Sequence, residues 1–347
     1  MIITELTIHH LRNIETAQFT LHPKCHLFHG ENGSGKTSLL EAIYLLCTGH
    51  SFRTRETSPL IRYGASAFTV FAQIQGDATI SIQKSLLGPT QVKLNREPCR
   101  SSSQLARLFP CLVFYQDMFQ IIDAGPAVRR TLLDWGLFHV EQSYHRAWKD
   151  YRWVLKQRNA LLRQKAARSA FDSWDQQLST LALELDRMRG VYFEQWVREF
   201  NKALALLTDM PCHLTYEKGW DRKESGYSLQ SILRNQLDQD IQRQYTQSGP
   251  HQADIRCEVN SKAAKRMMSR GQQKLVLIAL KLAQAVLVPG ECLFLLDDLP
   301  AELDAEHLQR VLKSLTQIEG QKVFTALDDK VISLEQGNST FLAASGL

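Results

Sequence analysis

The chain lacks most of the features that would send it outside the cell or into a membrane. Its seven cysteines, Cys25, Cys47, Cys99, Cys111, Cys212, Cys257 and Cys292, form no C-x-x-C pair and have no histidines at zinc-like intervals. A disulfide scaffold and a zinc module are therefore not expected, and reduced core thiols are. Residues 1–14 carry Glu5, His9, His10 and Arg12 where a secretory leader needs an unbroken apolar stretch. The longest apolar run, residues 275–288, is too short to span a bilayer and is interrupted by Lys281 and Gln284. Internal repeats and low-complexity tracts are missing too. Together these absences predict a cytoplasmic chain with no membrane partner. The charge surplus is small, +5 over 347 residues, which permits a polyanionic partner without arguing for one. An apolar fraction of 44% and a charged fraction of 22% are those of a folded globular chain, long enough for one large domain or two ordinary ones.

What is present is concentrated in residues 30–37. Gly30, Glu31, Asn32, Gly33, Ser34, Gly35, Lys36 and Thr37 satisfy G-x-x-x-x-G-K-[ST] at every fixed position. Residues 25–29 read as a short buried strand leading in. A helix leads out, starting at Thr37 and Ser38, with Leu39, Leu40, Ile43, Leu46 and Cys47 on one side. Glycines let successive backbone N–H groups curl around a phosphate at a helix N-terminus, where the dipole also favours negative charge. In such a loop Lys36 reaches the β- and γ-phosphates and the Thr37 hydroxyl holds magnesium. ATP and Mg²⁺ are the expected cofactors. An ordinary glycine-rich turn before a helix is the plainer alternative.

A phosphate loop leaves hydrolysis unspecified unless an apolar strand delivers a carboxylate. Residues 292–298, Cys-Leu-Phe-Leu-Leu-Asp-Asp, supply one. Asp297 is the candidate to hold the metal through water, and Asp298 to orient or deprotonate the attacking water. The plainer reading of Asp298 is a helix cap or a solvated turn residue. Upstream, Ser269, Arg270, Gly271, Gln272 and Gln273 open a helix. They resemble the signature motif of ABC-type ATPases, in which a hydroxyl, a glycine N–H and a helix N-terminus meet a γ-phosphate held by a second subunit. A simple helix N-cap is the alternative. Residues 299–304 resemble that superfamily's D-loop, with Ala301 where serine is commoner. Gln116 follows an expected strand at 110–114, where the superfamily has a magnesium-sensing glutamine. The switch histidine expected after the last core strand is missing, and Thr325-Ala326 stands there.

The order of elements supports an α/β fold. Strands are expected at 2–8, 17–21, 68–74, 78–84, 91–94, 292–296 and 322–326, and helices at 101–108, 272–288 and 305–315. Between them, residues 128–207 change to long helices. Leu178, Leu181, Leu185, Met188, Tyr192, Trp196 and Phe200 recur at helical steps, as do Val140, Tyr144, Trp148, Tyr151, Leu155 and Leu162. A helical hairpin turning near 169–173 is expected. Residues 216–261 read as loops and short elements. The expected organisation is an ATPase domain split between 1–127 and 262–347, with a helical lobe at 128–261 inserted as a short antiparallel arm.

With these motifs in place the resemblance becomes specific. Leu11-Arg12-Asn13, Leu40-Glu41-Ala42-Ile43-Tyr44, Ser51-Phe52-Arg53-Thr54, Gly125-Pro126 with Arg129-Arg130 and Leu133-Asp134, and Ser248-Gly249-Pro250-His251 resemble the RecF family. These are bacterial recombination-repair ATPases related to the SMC chromosome-organising ATPases. The sequence departs at Ser38, often Asn in the family, at Gln252, often basic, and at Gln116, where proline is frequent. The resemblance implies an ABC/SMC-type head that binds ATP between two protomers, with Arg12 and Asn13 lining the nucleotide pocket. It also implies weak DNA-stimulated ATPase activity and binding to double-stranded DNA and single/double-strand junctions. RecR and RecO are the implied partners, with RecA loaded onto single strands. Because Asp298 is one methylene shorter than the glutamate usual there, slow turnover is expected.

One basic stretch fits a phosphate-backbone track: Lys149, Arg152, Lys156, Arg158 and Arg163, with Arg146, Lys165 and Arg168, against only Asp150. A solvated helix face explains it equally well. Lys262, Lys265, Arg266 and Arg270 form a second basic group. No aromatic platform for single strands is evident. Three other classes remain open: a transporter ATPase subunit, a small-molecule kinase, and a scaffold in which nucleotide only holds the fold.

Overall fold

The computed structural model describes residues 2–99, 101–116, 118, 124–221, 226–259, 262–331 and 337–343, with backbone alone at 265, 266 and 331. The chain divides into two compact units, Met1–Met118 with Val288–Leu347, and Phe119–Leu287.

The first unit opens with β1 (Ile3–Leu11) and β2 (Ile14–Thr20), an antiparallel pair longer than the sequence pattern suggests. β3 (Cys25–His29) leads into α1 (Lys36–Thr48). Then come β4 (Ala67–Ile74), β5 (Ala78–Ser85), β6 (Gln91–Leu94), β7 (Glu97–Pro98), α2 (Ser102–Leu108) and β8 (Cys111–Phe114). Six of these strands form an antiparallel sheet in the order β2-β1-β4-β5-β6-β7. A register shift between Ile3 and Glu5 explains why the buried positions of β1 run Ile3, Leu6, Ile8 rather than strictly alternating.

The second unit follows. It contains α3 (Pro126–Val140), α4 (Tyr144–Gln164), α5 (Asp172–Leu207), β9 (His213–Glu217), α6 (Leu229–Asn235) and α7 (Leu237–Arg243). After these come β10 (Asp254–Val259), β11 (Lys262–Ala263), α8 (Ala264–Met267) and α9 (Arg270–Leu287). α4 ends on Lys165 in a left-handed conformation, so the hairpin turn occupies 165–171, slightly before its expected place. α5 then runs unbroken for 36 residues. The hard-to-read region 216–261 contains most of a three-stranded sheet, β11-β10-β9, and two short helices; residues 222–225 and 260–261 of it lie outside the described residues.

α9 corrects the expected division of the chain. A boundary at 261/262, itself at the edge of the described residues, would assign this helix to the first unit. Instead α9 packs on α5 and α3: Trp196 Nε1 donates to the Leu280 carbonyl at 2.9 Å, and Gln284 Nε2 to that of Leu132 at 2.6 Å. Gln284, one of the two polar residues that interrupt the apolar run, is thus used inside the second unit.

The chain then returns to the first unit with β12 (Leu293–Leu296), α10 (Leu299–Glu302), α11 (Ala305–Thr316), β13 (Lys322–Ala326) and β14 (Asn338–Phe341). A parallel sheet of order β14-β3-β13-β12-β8 results, with Leu295 opposite Val323 and Val113. β12 and β13 are buried at every residue, as strands covered on both faces must be. α1 packs against β1, β4 and β5 as well as against β8, β12 and β13. A helix held between two sheets buries more than one face, and residues 38–43 of α1 are all buried. No helix among the described residues is long and apolar enough to cross a membrane.

Candidate nucleotide-binding site

Strand order in the parallel sheet brings together segments far apart in sequence. β3 and β12 both lie beside β13, so the turn after β3 and the carboxylates after β12 open at the same sheet edge. Gly30 begins the turn with φ +150, and a side chain there would collide with the backbone of Leu342, whose N–H donates to the His29 carbonyl at 2.7 Å. At Gly33, φ is +85 and an added Cβ would project into open space. The loop backbone at Gly33 is therefore open to an approaching group. Ser34 Oγ is buried with no hydrogen-bond partner, and an anion accepting from this hydroxyl and the loop N–H groups fits the geometry.

Lys36 folds back onto the loop, donating to the carbonyls of Gly30 at 2.6 Å and Glu31 at 2.8 Å. Burial lowers its pKa, opposed by the charges of Asp298 and then Asp297. The Thr37 hydroxyl reaches both carboxylate oxygens of Asp297, at 2.9 and 3.0 Å, across 260 residues of sequence. Asp297 also accepts from the Thr325 hydroxyl at 2.8 Å. That same hydroxyl oxygen accepts the backbone N–H of Asp298 at 2.9 Å. Asp298 occupies the N-cap position of α10 in a left-handed conformation, φ 47, with its side chain making no cap hydrogen bond. Both carboxylates are pushed above the ordinary carboxylate range by burial. Asp297 is partly held down by the Thr325 and Thr37 hydroxyls and Asp298 by Lys36. This oxygen-only donor set suits a hard cation such as Mg²⁺, which is commonly held by one or two side chains with phosphates and waters completing its shell. Among the described residues no group of three or more His, Cys, Asp or Glu would supply a complete metal cage.

Gln116 lies exposed just beyond β8, and the Asp297 N–H donates to the Phe114 carbonyl at 2.8 Å, so Gln116 shares the edge with the two aspartates. Asn13 bridges the β1–β2 turn to the loop. Its amide donates to the Gly33 carbonyl at 2.9 Å and its side-chain oxygen accepts from Ser38 at 3.0 Å. Arg12 is committed elsewhere, forming a two-pronged ion pair with Glu41 at 2.8 and 2.9 Å and donating to the Pro59 carbonyl. Glu31 and Asn32, on the exposed shoulder of the loop, leave the cradle to the backbone.

Sequence reasoning missed two residues of this constellation. Glu41 is fully buried on α1, where it holds Arg12 and accepts from the Ser51 hydroxyl. Ser51 Oγ in turn accepts from the backbone N–H groups of Arg53 and Thr54, fixing the arginine-bearing loop. A charged residue in an otherwise apolar helix, five residues after the phosphate-loop lysine, was the available signal. Thr325 is the other, and its hydroxyl braces both aspartates from the position where a switch histidine was sought.

In the second unit, Ser269 and Gln272 form a reciprocal cap at the start of α9. The Ser269 N–H donates to Gln272 Oε1 at 2.9 Å and the Gln272 N–H to Ser269 Oγ at 3.3 Å. The N-cap reading is therefore realised, and it leaves Ser269, Arg270 and Gly271 exposed at the head of an 18-residue helix, with Gln273 buried behind them.

The basic stretch requires one correction. Lys149, Arg152, Lys156 and Arg163 are exposed, and their spacing puts them on one stripe of α4. Arg158 lies half a turn away and is 0% exposed, paired with Asp175 at 2.6 Å and Asp240 at 2.7 Å. It holds α4 to α5 and α7 and is removed from any surface track. In the second basic group Lys262 and Arg270 are exposed, while the side chains of Lys265 and Arg266 lie outside the described residues.

The RecF/RecN/SMC N terminal domain family matches residues 2–342. The chain is 36% identical to the DNA replication and repair protein RecF of Stutzerimonas stutzeri (strain A1501), covering 98% of this chain and 94% of that one. It is 37% identical to RecF of Shewanella baltica (strain OS155 / ATCC BAA-1091), covering 96% and 94%. In fold it resembles a solved structure of the recombination mediator protein RecF-ATP in the RecFOR pathway, with TM-score 0.84, 24% identity and coverage of 96% and 93%. An Smc head bound to the C-winged helix domain of ScpA follows at TM-score 0.59 and 18% identity, covering 95% and 91%. With the family model and these relatives spanning nearly its whole length, the chain belongs to the RecF family of DNA replication and repair proteins, within the RecF/RecN/SMC N-terminal domain family.

Proposed function

We propose that this chain is an ATP-gated DNA-binding protein of recombinational repair and replication restart. Two copies share each nucleotide, the closed dimer grips duplex DNA at gaps, and slow hydrolysis releases it. The observation that carries this reading is the Thr37 hydroxyl on both oxygens of Asp297, which joins the end of the phosphate loop to the end of β12. Its family relatives support it too, since one is described with ATP in the RecFOR pathway. By the same kinship RecR and RecO are the partners, and the complex helps to load recombinase on single strands.

The loop N–H groups, Ser34 and Lys36 hold the phosphates of ATP, with Asn13 and Ser38 bracing the loop and Arg12 held beside them on Glu41. Thr37 and Asp297 would hold Mg²⁺, with Gln116 exposed just beyond β8 as a further oxygen donor. The metal would supply charge neutralisation at the phosphates. Asp298, made more basic by burial, accepts the proton of the attacking water at its carboxylate. Ser269, Arg270 and Gly271 of the partner copy supply exposed donors to the same phosphates, with Gln272 and the buried Gln273 completing the helix N-terminus behind them. Lys149, Arg152, Lys156 and Arg163 follow the DNA backbone.

Duplex affinity measured at several salt concentrations, with and without ATP, tests the reading. ATP should tighten binding and steepen its salt dependence. Affinity indifferent to nucleotide would overturn the gate, and phosphate release unchanged by duplex would overturn DNA stimulation.

A further inference from the structure

The basic stripe of α4 carries an aromatic residue that the sequence alone did not single out. Trp153 is 55% exposed, one of the largest apolar side chains on the surface of the second unit. On the helix it lies about 40° beyond Lys149, at the border of the arc that Lys149, Arg152 and Lys156 span, and it is neighboured along the helix by Lys149 four residues before it and Lys156 three after it. The Trp153 ring rests against Trp174 at the start of α5, with centroids 5.5 Å apart and planes tilted by 59°. That contact positions the indole across the α4–α5 hairpin and leaves more than half of its surface to solvent. Carboxylates do not cancel the field here. Asp150 lies beside Arg146 at 3.8 Å, and Asp172 is taken up by Arg234 at 3.2 Å. Asp175 is buried against Arg158.

Cations on one stripe are sufficient for a duplex backbone, which shows phosphates and no base faces. An exposed tryptophan braced by a second one adds nothing to such a track. It does suit unpaired bases, whose faces stack on aromatic rings while flanking cations follow the phosphates. We propose that Trp153, supported by Trp174, is a base-stacking platform, and that the outer face of α4 binds single-stranded DNA. The inference rests on the DNA-binding reading above and adds to it the single-stranded arm of a gap.

The test compares the full-length wild type with Trp153→Ala, Trp153→Phe and Lys156→Glu, using fluorescein-labelled oligothymidylate and, separately, a labelled blunt duplex. Anisotropy should show Trp153→Ala losing about tenfold in oligothymidylate affinity with duplex affinity unchanged, and Trp153→Phe keeping most of it. Lys156→Glu should weaken both and flatten the salt dependence. Because Trp153 is mostly exposed, its removal should leave the denaturation midpoint in place, and that midpoint is measured alongside. Equal oligothymidylate affinity in wild type and Trp153→Ala would overturn the platform while leaving duplex binding standing. Loss of both ligands in Trp153→Ala at an unchanged midpoint would also overturn it, by making Trp153 a general contact. A wild type that binds neither probe would overturn the DNA-binding reading and this inference together.

Discussion

At the scale of single residues, the site depends on hydroxyls that position carboxylates. Thr325 donates to Asp297 and receives the N–H of Asp298, so one side chain fixes the two groups assigned to metal and water. Thr325→Val keeps the shape and removes both bonds. Turnover should fall about thirtyfold with ATP affinity little changed, the effect of two lost hydrogen bonds at about 1 kcal/mol each, as a coupled phosphate assay and a binding titration would show. Asp298→Asn should keep ATP binding and prolong the ATP-bound dimer, and unchanged hydrolysis would remove Asp298 from the mechanism. The pH profile carries the same assignment. Burial raises the Asp298 pKa, so activity should decline on acidification at a higher pH than an ordinary carboxylate near 4 would give. Residues of this kind were only half legible. Motif spacing marks Lys36, Thr37, Asp297 and Asp298, because phosphate chemistry needs those atoms at those offsets. Glu41 and Thr325 act through contacts made across 29 and 28 residues of chain, a relation that no local pattern records.

At the scale of elements, α4 carries two different faces. Its buried stripe, Tyr144, Ala147, Tyr151, Val154, Arg158 and Leu162, is the apolar face of the hairpin with one arginine set into it. The helix itself was plain from periodicity, but composition grouped Arg158 with its exposed neighbours. Extending the three- and four-residue steps through position 158 would have separated it. The consequence for stability is large. Arg158→Ala strands Asp175 and Asp240 in the interior and should cost about 3–5 kcal/mol in chemical denaturation. Arg152→Ala on the other face should stay within about 0.5 kcal/mol. A comparable cost for the two variants would contradict the opposite placement of these side chains.

At the scale of the whole molecule, each unit holds a histidine, buried in the first and half-buried in the second, whose charging folding opposes. In the first, His26 accepts from the His22 N–H and pairs with Thr340 at 2.9 Å, and burial, with His22 adding, pushes it down to about 4. In the second, the Tyr151 hydroxyl donates to His251 Nδ1 at 2.6 Å and Nε2 meets the Thr246 carbonyl at 2.9 Å. Burial pushes His251 down to about 4 as well. Unfolded, both titrate near 6.5, so between about 6.5 and about 4 the unfolded chain binds more protons and stability falls as pH falls. The loss approaches about 1.4 kcal/mol per pH unit for each histidine. Denaturation midpoints across this window should drop steadily, and His251→Gln should shallow the slope. Sequence order showed that one unit is inserted into the other. It did not show that α9 belongs to the insertion, because the side chains that decide this, Trp196 and Gln284, act through packing rather than pattern.

That placement sharpens the central claim, that one copy supplies the phosphate loop and its partner the Ser269 turn. Mixing two defective proteins tests it most directly. Lys36→Ala removes the loop lysine, and Ser269→Arg blocks the partner's turn at the cost of about 1 kcal/mol of helix capping. Each variant alone should be inactive in phosphate release. Mixed, they form hybrid dimers in which an intact loop faces an intact Ser269, so activity should reappear. If the mixture stays as inactive as its components while each variant still dimerises, the nucleotide is not shared between copies and the account is wrong.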